Sequence, residues 1–317
     1  MAEKHKRKFD YSKYAPLIAL VILFIISSVS SPYFLHTRNI LNILRQISYT
    51  GYIALGMTFV IISGGIDLSV GSMVALAGGI GVLTLNAAGG GVWAIVLAIL
   101  VTLAIGAGFG ALNGVVITKG KIAPFIATLG TMSIFRSLTL YISSAGEYRS
   151  ESMIYPNIGS GSFLGIPIPV WLFFLMAFLY HILLNNTRFG RYVCAVGSND
   201  KVAKYSAIKV NWVKFLTYVI TGFSVGLSAI MLSSRLNSVS SSNTGLGYEL
   251  DAIAAVIIGG TALTGGSGSI VGTVIGAMIL GIINNMLNML GVSPYLQGTV
   301  KGIVIISAVL MQYKKER

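Results

Sequence analysis

Six windows of this sequence, 14–37, 46–66, 68–118, 152–187, 215–234 and 252–300, contain no Asp, Glu, Lys or Arg. One helical crossing of a hydrocarbon core about 30 Å thick takes about 20 apolar residues. Every window is therefore long enough to span a membrane, and several are long enough for two spans. A soluble domain is excluded, because only 10% of the 317 residues are charged and the mean hydropathy is +0.82, against about 25% charged in an ordinary globular chain. A disordered chain would be polar. The connections between windows are too short for a soluble domain of about 50 residues or more. The reading is one transmembrane domain over 1–317, with a basic tail at 1–14 and a loop at 187–213.

The apolar stretches 16–27 and 93–105 run on with few interruptions, whereas a β-barrel strand alternates in polarity. The fold class is therefore all-α integral membrane protein. The 38 glycines suit closely approaching helices, and the lone Cys194 excludes an intrachain disulfide. The first apolar run follows a basic tail but is long and lacks a small-x-small cleavage site, so it reads as a retained anchor.

Breaks at charges and glycine clusters predict about ten spans: 15–34, 46–63, 68–87, 92–112, 122–143, 169–186, 214–234, 250–264, 268–290 and 295–312. An even count puts both termini on one side. Sixteen of the 22 basic residues fall on that side: five before the first span, two after the fourth, six in the loop after the sixth and three at the end. By the positive-inside rule that side is the cytoplasm, where both termini are therefore expected. Topology thus accounts for most of the net charge of +13, without a nucleic-acid partner. Arg136 and Lys301 fall inside spans near their outward ends, where both are expected to snorkel to the interface.

Two glycine-rich breaks stand out. Residues 63–72 read SGGIDLSVGS, and 265–273 read GGSGSIVGT; five positions match at a constant offset of 201. Asp67 is the only charge between Arg45 and Lys119. Asp67 or Ser69 is expected to cap the following helix; the alternative places both on a translocation path, as in broken transporter helices. Asn284 and Asn288 share a face of the ninth span, beside Asn285. Such amides suit interhelical hydrogen bonds or contacts to a polyol. Gly106–Gly110–Gly114, Gly222–Gly226 and Gly272–Gly276 have the GxxxG spacing of helix contacts. The segment GVVITKGKI at 114–122 is no phosphate loop, since the spacing is wrong and Ile122 stands where Ser or Thr is required. His5, His36 and His181 have no ligand-like spacing. The chain is therefore expected to hold no catalytic, metal or cofactor site of its own.

The loop TRFGRYVCAVGSNDKVAKYSAIKVNWVK at 187–214 is basic, broken by Gly190 and Gly197, and holds a short helix that Ser198 or Asn199 caps. Its small residues Ala203, Ser206 and Ala207 would let that helix dock in another protein's groove.

With that loop, GGIDLSVGS at 64–72, PFIATLGTMSIFR at 124–136, the glycine-rich 251–276 and QGTVKGIVII at 297–306, the chain resembles the permease subunits of bacterial ABC sugar importers of the ribose, arabinose, xylose and galactoside group. The resemblance implies a type II importer architecture of the vitamin B12 permease kind and a homodimer. It also implies a cytoplasmic ABC ATPase that carries ATP and magnesium, and a periplasmic or lipid-anchored sugar-binding protein. Residues carried over for ATPase coupling are Gly190, Arg191, Asn199, Lys201, Ala203, Ser206 and Ala207; Lys204 and Tyr205 depart from a common Arg-Leu pair, and Ala207 from a usual glycine. The competing reading is an ion-coupled secondary transporter of a small polar solute. It would need ionisable groups near the midplane, for which only Asp67 and Asp251 are available.

Overall fold

The computed structural model describes residues 15–315, and among them helices predominate. In chain order come α1 (Ala15–Ser30), α2 (Thr37–Ile62), α3 (Val70–Ala87), α4 (Val92–Thr118) and α5 (Pro124–Ile142), then α6 (Pro156–Ser160) and α7 (Ile168–Asn186). The loop after α7 forms α8 (Arg188–Ser198) and α9 (Asp200–Tyr205); α10 (Val210–Leu236), α11 (Tyr248–Ile258), α12 (Ile270–Met289) and α13 (Pro294–Lys315) follow. The basic tail 1–14 lies outside the described residues.

Each expected span carries a helix, and among the described residues six of these helices, α3, α4, α5, α7, α10 and α12, are long and apolar enough to cross a membrane. The expected span 250–264 is the clearest revision. Its helix, α11, has 11 residues, about 16 Å of rise, and ends at a glycine turn, so the helix by itself is too short to cross a bilayer.

The core gathers on α2, whose 47–62 stretch is buried at every residue but Thr50. Against it pack α10, α11 and α12. The longest seam joins α4 to α10, and the glycine spacing explains it: a Cβ on Gly106 would stand 2.5 Å from the Gly222 carbonyl, and one on Gly110 would stand 3.1 Å from the Gly222 Cα. Without side chains on that stripe the two backbones touch, which is how apolar helices gain packing where lipid removes any hydrophobic drive. Gly276 meets Ala255 and Gly259 at the α11–α12 contact in the same manner.

A short antiparallel pair, β1 (Glu147–Arg149) with β4 (Ser238–Ser240), joins the loop after α5 to the loop after α10. A second pair, β2 (Ser162–Phe163) with β3 (Ile166–Pro167), forms a hairpin before α7. Arg136 finds its partners inside the protein. Its guanidinium donates to the carbonyls of Ser241 (2.8 Å) and Thr244 (3.0 Å), fastening the loop after β4. Lys301 also finds a partner inside the protein, with Nζ 2.9 Å from Asp251 Oδ2. Both cations are thus satisfied by partners within the protein.

Candidate functional site: the segment after α7 and the two glycine turns

Thr187 has extended backbone and ends α7; its hydroxyl accepts from Gly190 N at 3.2 Å and starts α8 in a new direction. Gly190 lies so close to the Leu184 carbonyl that any side chain would collide with it. Gly190, Val193 and Val196 form the buried stripe of α8, while Arg188, Arg191 and Tyr192 face outward. Asn199 then caps α9 as expected, its Oδ1 accepting from Lys201 N and Val202 N, both at 3.1 Å. Ala207 closes the segment in the left-handed region at φ +60°, the conformation that favours glycine.

Ala203 requires a correction. It is only 3% exposed, because its turn of α9 faces the protein's own core, so it does not offer a surface to another chain. Val202 and Tyr205 hold the outward apolar positions instead, at 57% and 90% exposure. Arg191, Asn199, Lys201, Ser206 and Ala207 are exposed, and Gly190 is buried.

The end of α8 rests on both glycine-rich breaks. Gly197 lies against the Ile62 carbonyl and Gly266 N, and Gly266 N donates to Ile62 O at 2.8 Å. One turn further in, the hydroxyls of Thr58 and Thr273 lie 2.8 Å apart, tying α2 to α12. The two matching sequences therefore meet each other and α8 at one place. The shared glycine spacing was visible in the sequence; that the copies touch was not.

Asp67 is fully buried. Its Oδ1 accepts from Ser69 N at 2.9 Å and Ser69 Oγ at 2.6 Å, and Asn113 Nδ2 donates to both carboxylate oxygens at 3.3 and 3.2 Å. Neither Asp67 nor Ser69 caps α3 in the expected way: Ser69 is the N-cap residue, but its hydroxyl is spent on Asp67 and accepts from Asn113 at 2.9 Å. Asn113 is a partner that sequence spacing did not mark. In α12, Asn285 exchanges hydrogen bonds with Asn39 at 3.2 and 2.8 Å, and exposed Asn288 accepts from Gln297 at 2.9 Å. The Asn284 side-chain Oδ1 is buried and has no hydrogen-bond partner among the described residues. The three amides thus divide their work, and only Asn284 keeps a free acceptor.

Residues 39–309 match the family described as the permease component of branched-chain amino acid transport systems. Ribose import permease protein RbsC of Bacillus subtilis is 48% identical, covering 99% of this chain and 97% of the relative. Its Escherichia coli K12 counterpart is 43% identical, covering 95% and 93%. The D-allose transport system permease protein AlsC of the same strain is 38% identical, covering 96% and 94%. No solved structure gives a significant match. With a family match over most of its length and full-length relatives that are all permeases, the chain belongs to this family of membrane permease components.

Proposed function

We propose that this chain is the membrane permease of an ATP-driven importer for ribose or a closely related monosaccharide. What carries the reading is likeness along nearly the whole chain to permeases named for ribose and D-allose; it outweighs the amino-acid wording of the broader family. In this reading ten helices form a type II importer subunit in the cytoplasmic (inner) membrane, with both termini in the cytoplasm and a second copy completing a homodimer. A cytoplasmic ABC ATPase holds ATP and magnesium, a periplasmic or lipid-anchored protein delivers the sugar, and this chain carries no cofactor.

Coupling is mechanical and runs through α8 and α9. Closure of the ATPase pair moves α9, with Val202 and Tyr205 as the apolar tip and Arg191, Asn199, Lys201, Ser206 and Ala207 around it. Gly190 and Gly197 then pass the movement by direct backbone contact to α7 and the glycine turns. Rigid short helices on close backbone contacts suit a two-state switch whose populations the partners bias. The free Asn284 Oδ1, with Asn288 nearby, supplies acceptors for sugar hydroxyls, whereas Asp67 and Ser69, engaged with Asn113, hold the switch region together.

The test is uptake in membrane vesicles containing all three components. Labelled ribose should accumulate when ATP is supplied and stop when ATP is depleted with the ion gradient intact. Accumulation that follows the gradient and ignores ATP would establish the secondary-transporter reading instead.

A further inference from the structure

At the end of α4 an open cavity of about 850 Å³ lies between that helix, α9 and the start of α10. Four lysines border it: Lys119, Lys201, Lys204 and Lys209, all exposed. The carboxylate in its lining, Asp200, is taken by Lys214 at 3.5 Å. The four cavity lysines have no ion-pair partner among the described residues. Positive-inside topology explains why lysines are on this side, but not why they surround one concavity with an apolar wall. That wall is Val115 from the last turn of α4, with Ile208 and Phe215; Trp212, 57% exposed, stacks on Phe215 with ring centroids 5.3 Å apart.

An exposed Trp beside lysines at the ends of two apolar helices marks the headgroup level of a membrane. A pocket there, cationic at the rim and apolar below, fits a ligand that is anionic at one end and hydrocarbon at the other. We propose that this cavity seats the phosphodiester headgroup of an anionic phospholipid, with its acyl chains along Val115 and Phe215. A protein partner fits less well, because the apolar residues α9 presents outward, Val202 and Tyr205, do not line the cavity. Since Lys201 and Lys204 belong to α9, a lipid held here would touch the segment that the proposed coupling moves. The lipid seat itself does not depend on the cargo.

The test uses the full chain in phosphatidylcholine nanodiscs, with Trp93→Phe and Trp171→Phe leaving Trp212 as the reporter. Brominated phosphatidylglycerol should quench Trp212 at lower mole fraction than brominated phosphatidylcholine. Lys119→Gln with Lys209→Gln should raise the quenching midpoint for phosphatidylglycerol by about thirtyfold, with helix content unchanged. The comparison of the two lipids needs no lysine substitution, so it decides the matter even where the double variant misfolds. Equal quenching by both lipids, or an unmoved midpoint in a folded double variant, would overturn the proposal. Relief of quenching by inorganic phosphate would show a site for the free anion, and relief by the purified ATPase would show the partner's own seat; either would also overturn it.

Discussion

The two glycine-rich turns share a sequence pattern and meet in space, yet they are held in different ways. The first, between α2 and α3, is cross-linked through the buried carboxylate of Asp67 to Ser69 and to Asn113 of α4, and the Tyr218 hydroxyl of α10 donates to Ile66 O at 3.1 Å. The second, between α11 and α12, has no carboxylate. It uses an ordinary cap, with Ser269 Oγ accepting from Gly272 N at 3.2 Å, and leans on the first turn through Gly266 N. A glycine pattern therefore specifies a backbone path and not a rigidity. On this difference the first turn should act as a fixed corner and the second as the side on which a small movement of α8 costs least.

Breaking the fixed corner should have the largest effect. Asp67→Leu removes the acceptor for Ser69 N, Ser69 Oγ and Asn113 Nδ2 in a buried site, and each stranded donor costs about 1–3 kcal/mol. Little folded protein should survive detergent extraction, measured by monodisperse yield. Asp67→Asn is the informative partner. Its carbonyl can keep both bonds to Ser69, and the free Asn113 Oδ1 is available to accept from the new amide, so yield and sugar uptake should stay near the parent's. Normal yield with abolished uptake would instead assign the carboxylate to ion coupling.

The second turn should respond in function before it responds in stability. Gly266 has φ +80°, and a Cβ there would stand 3.0 Å from the Ser198 Cα at the end of α8. Gly266→Val forces a branched residue into the left-handed region, at about 1–2 kcal/mol, and pushes on α8. Melting in detergent should shift modestly while uptake falls severalfold and ATP hydrolysis by the partner continues. Full uptake in this variant would show that α8 need not rest on the second turn.

Much of this difference could not be read from the chain. Apolar windows located the helices, GxxxG spacing marked the glycines of the α4–α10 seam without pairing them, and the cap of α9 was narrowed to Ser198 or Asn199, because each is a local pattern with a fixed period or position. The pairs that fix the first turn and tie the neighbouring helices together are long-range: Asp67 with Asn113 across 46 residues, Thr58 with Thr273 across 215 and Asn39 with Asn285 across 246. No periodicity reports such pairs. Ala203 was misplaced for a related reason. In a helix of six residues small side chains suit an inward face as well as a docking face, and only the packing against the chain's own core decides.

The finest test compares the two serines that begin the helices after the turns. Ser269 acts alone: losing its hydroxyl strands one N–H, that of Gly272, at the first turn of α12. Loss of such a cap costs about 0.5–2 kcal/mol, so Ser269→Ala should lower the melting temperature slightly and leave uptake intact. Ser69 sits in the N-cap position of α3 but caps nothing; its hydroxyl donates to Asp67 and accepts from Asn113. Ser69→Ala therefore removes two bonds from a buried network and leaves Asp67 with fewer donors, which should cost more than the cap. Thermal melts of the two variants in one detergent decide the point. If Ser69→Ala melts no lower than Ser269→Ala, the corner is not fixed by its polar network, and the close helix packing around it must supply the rigidity instead.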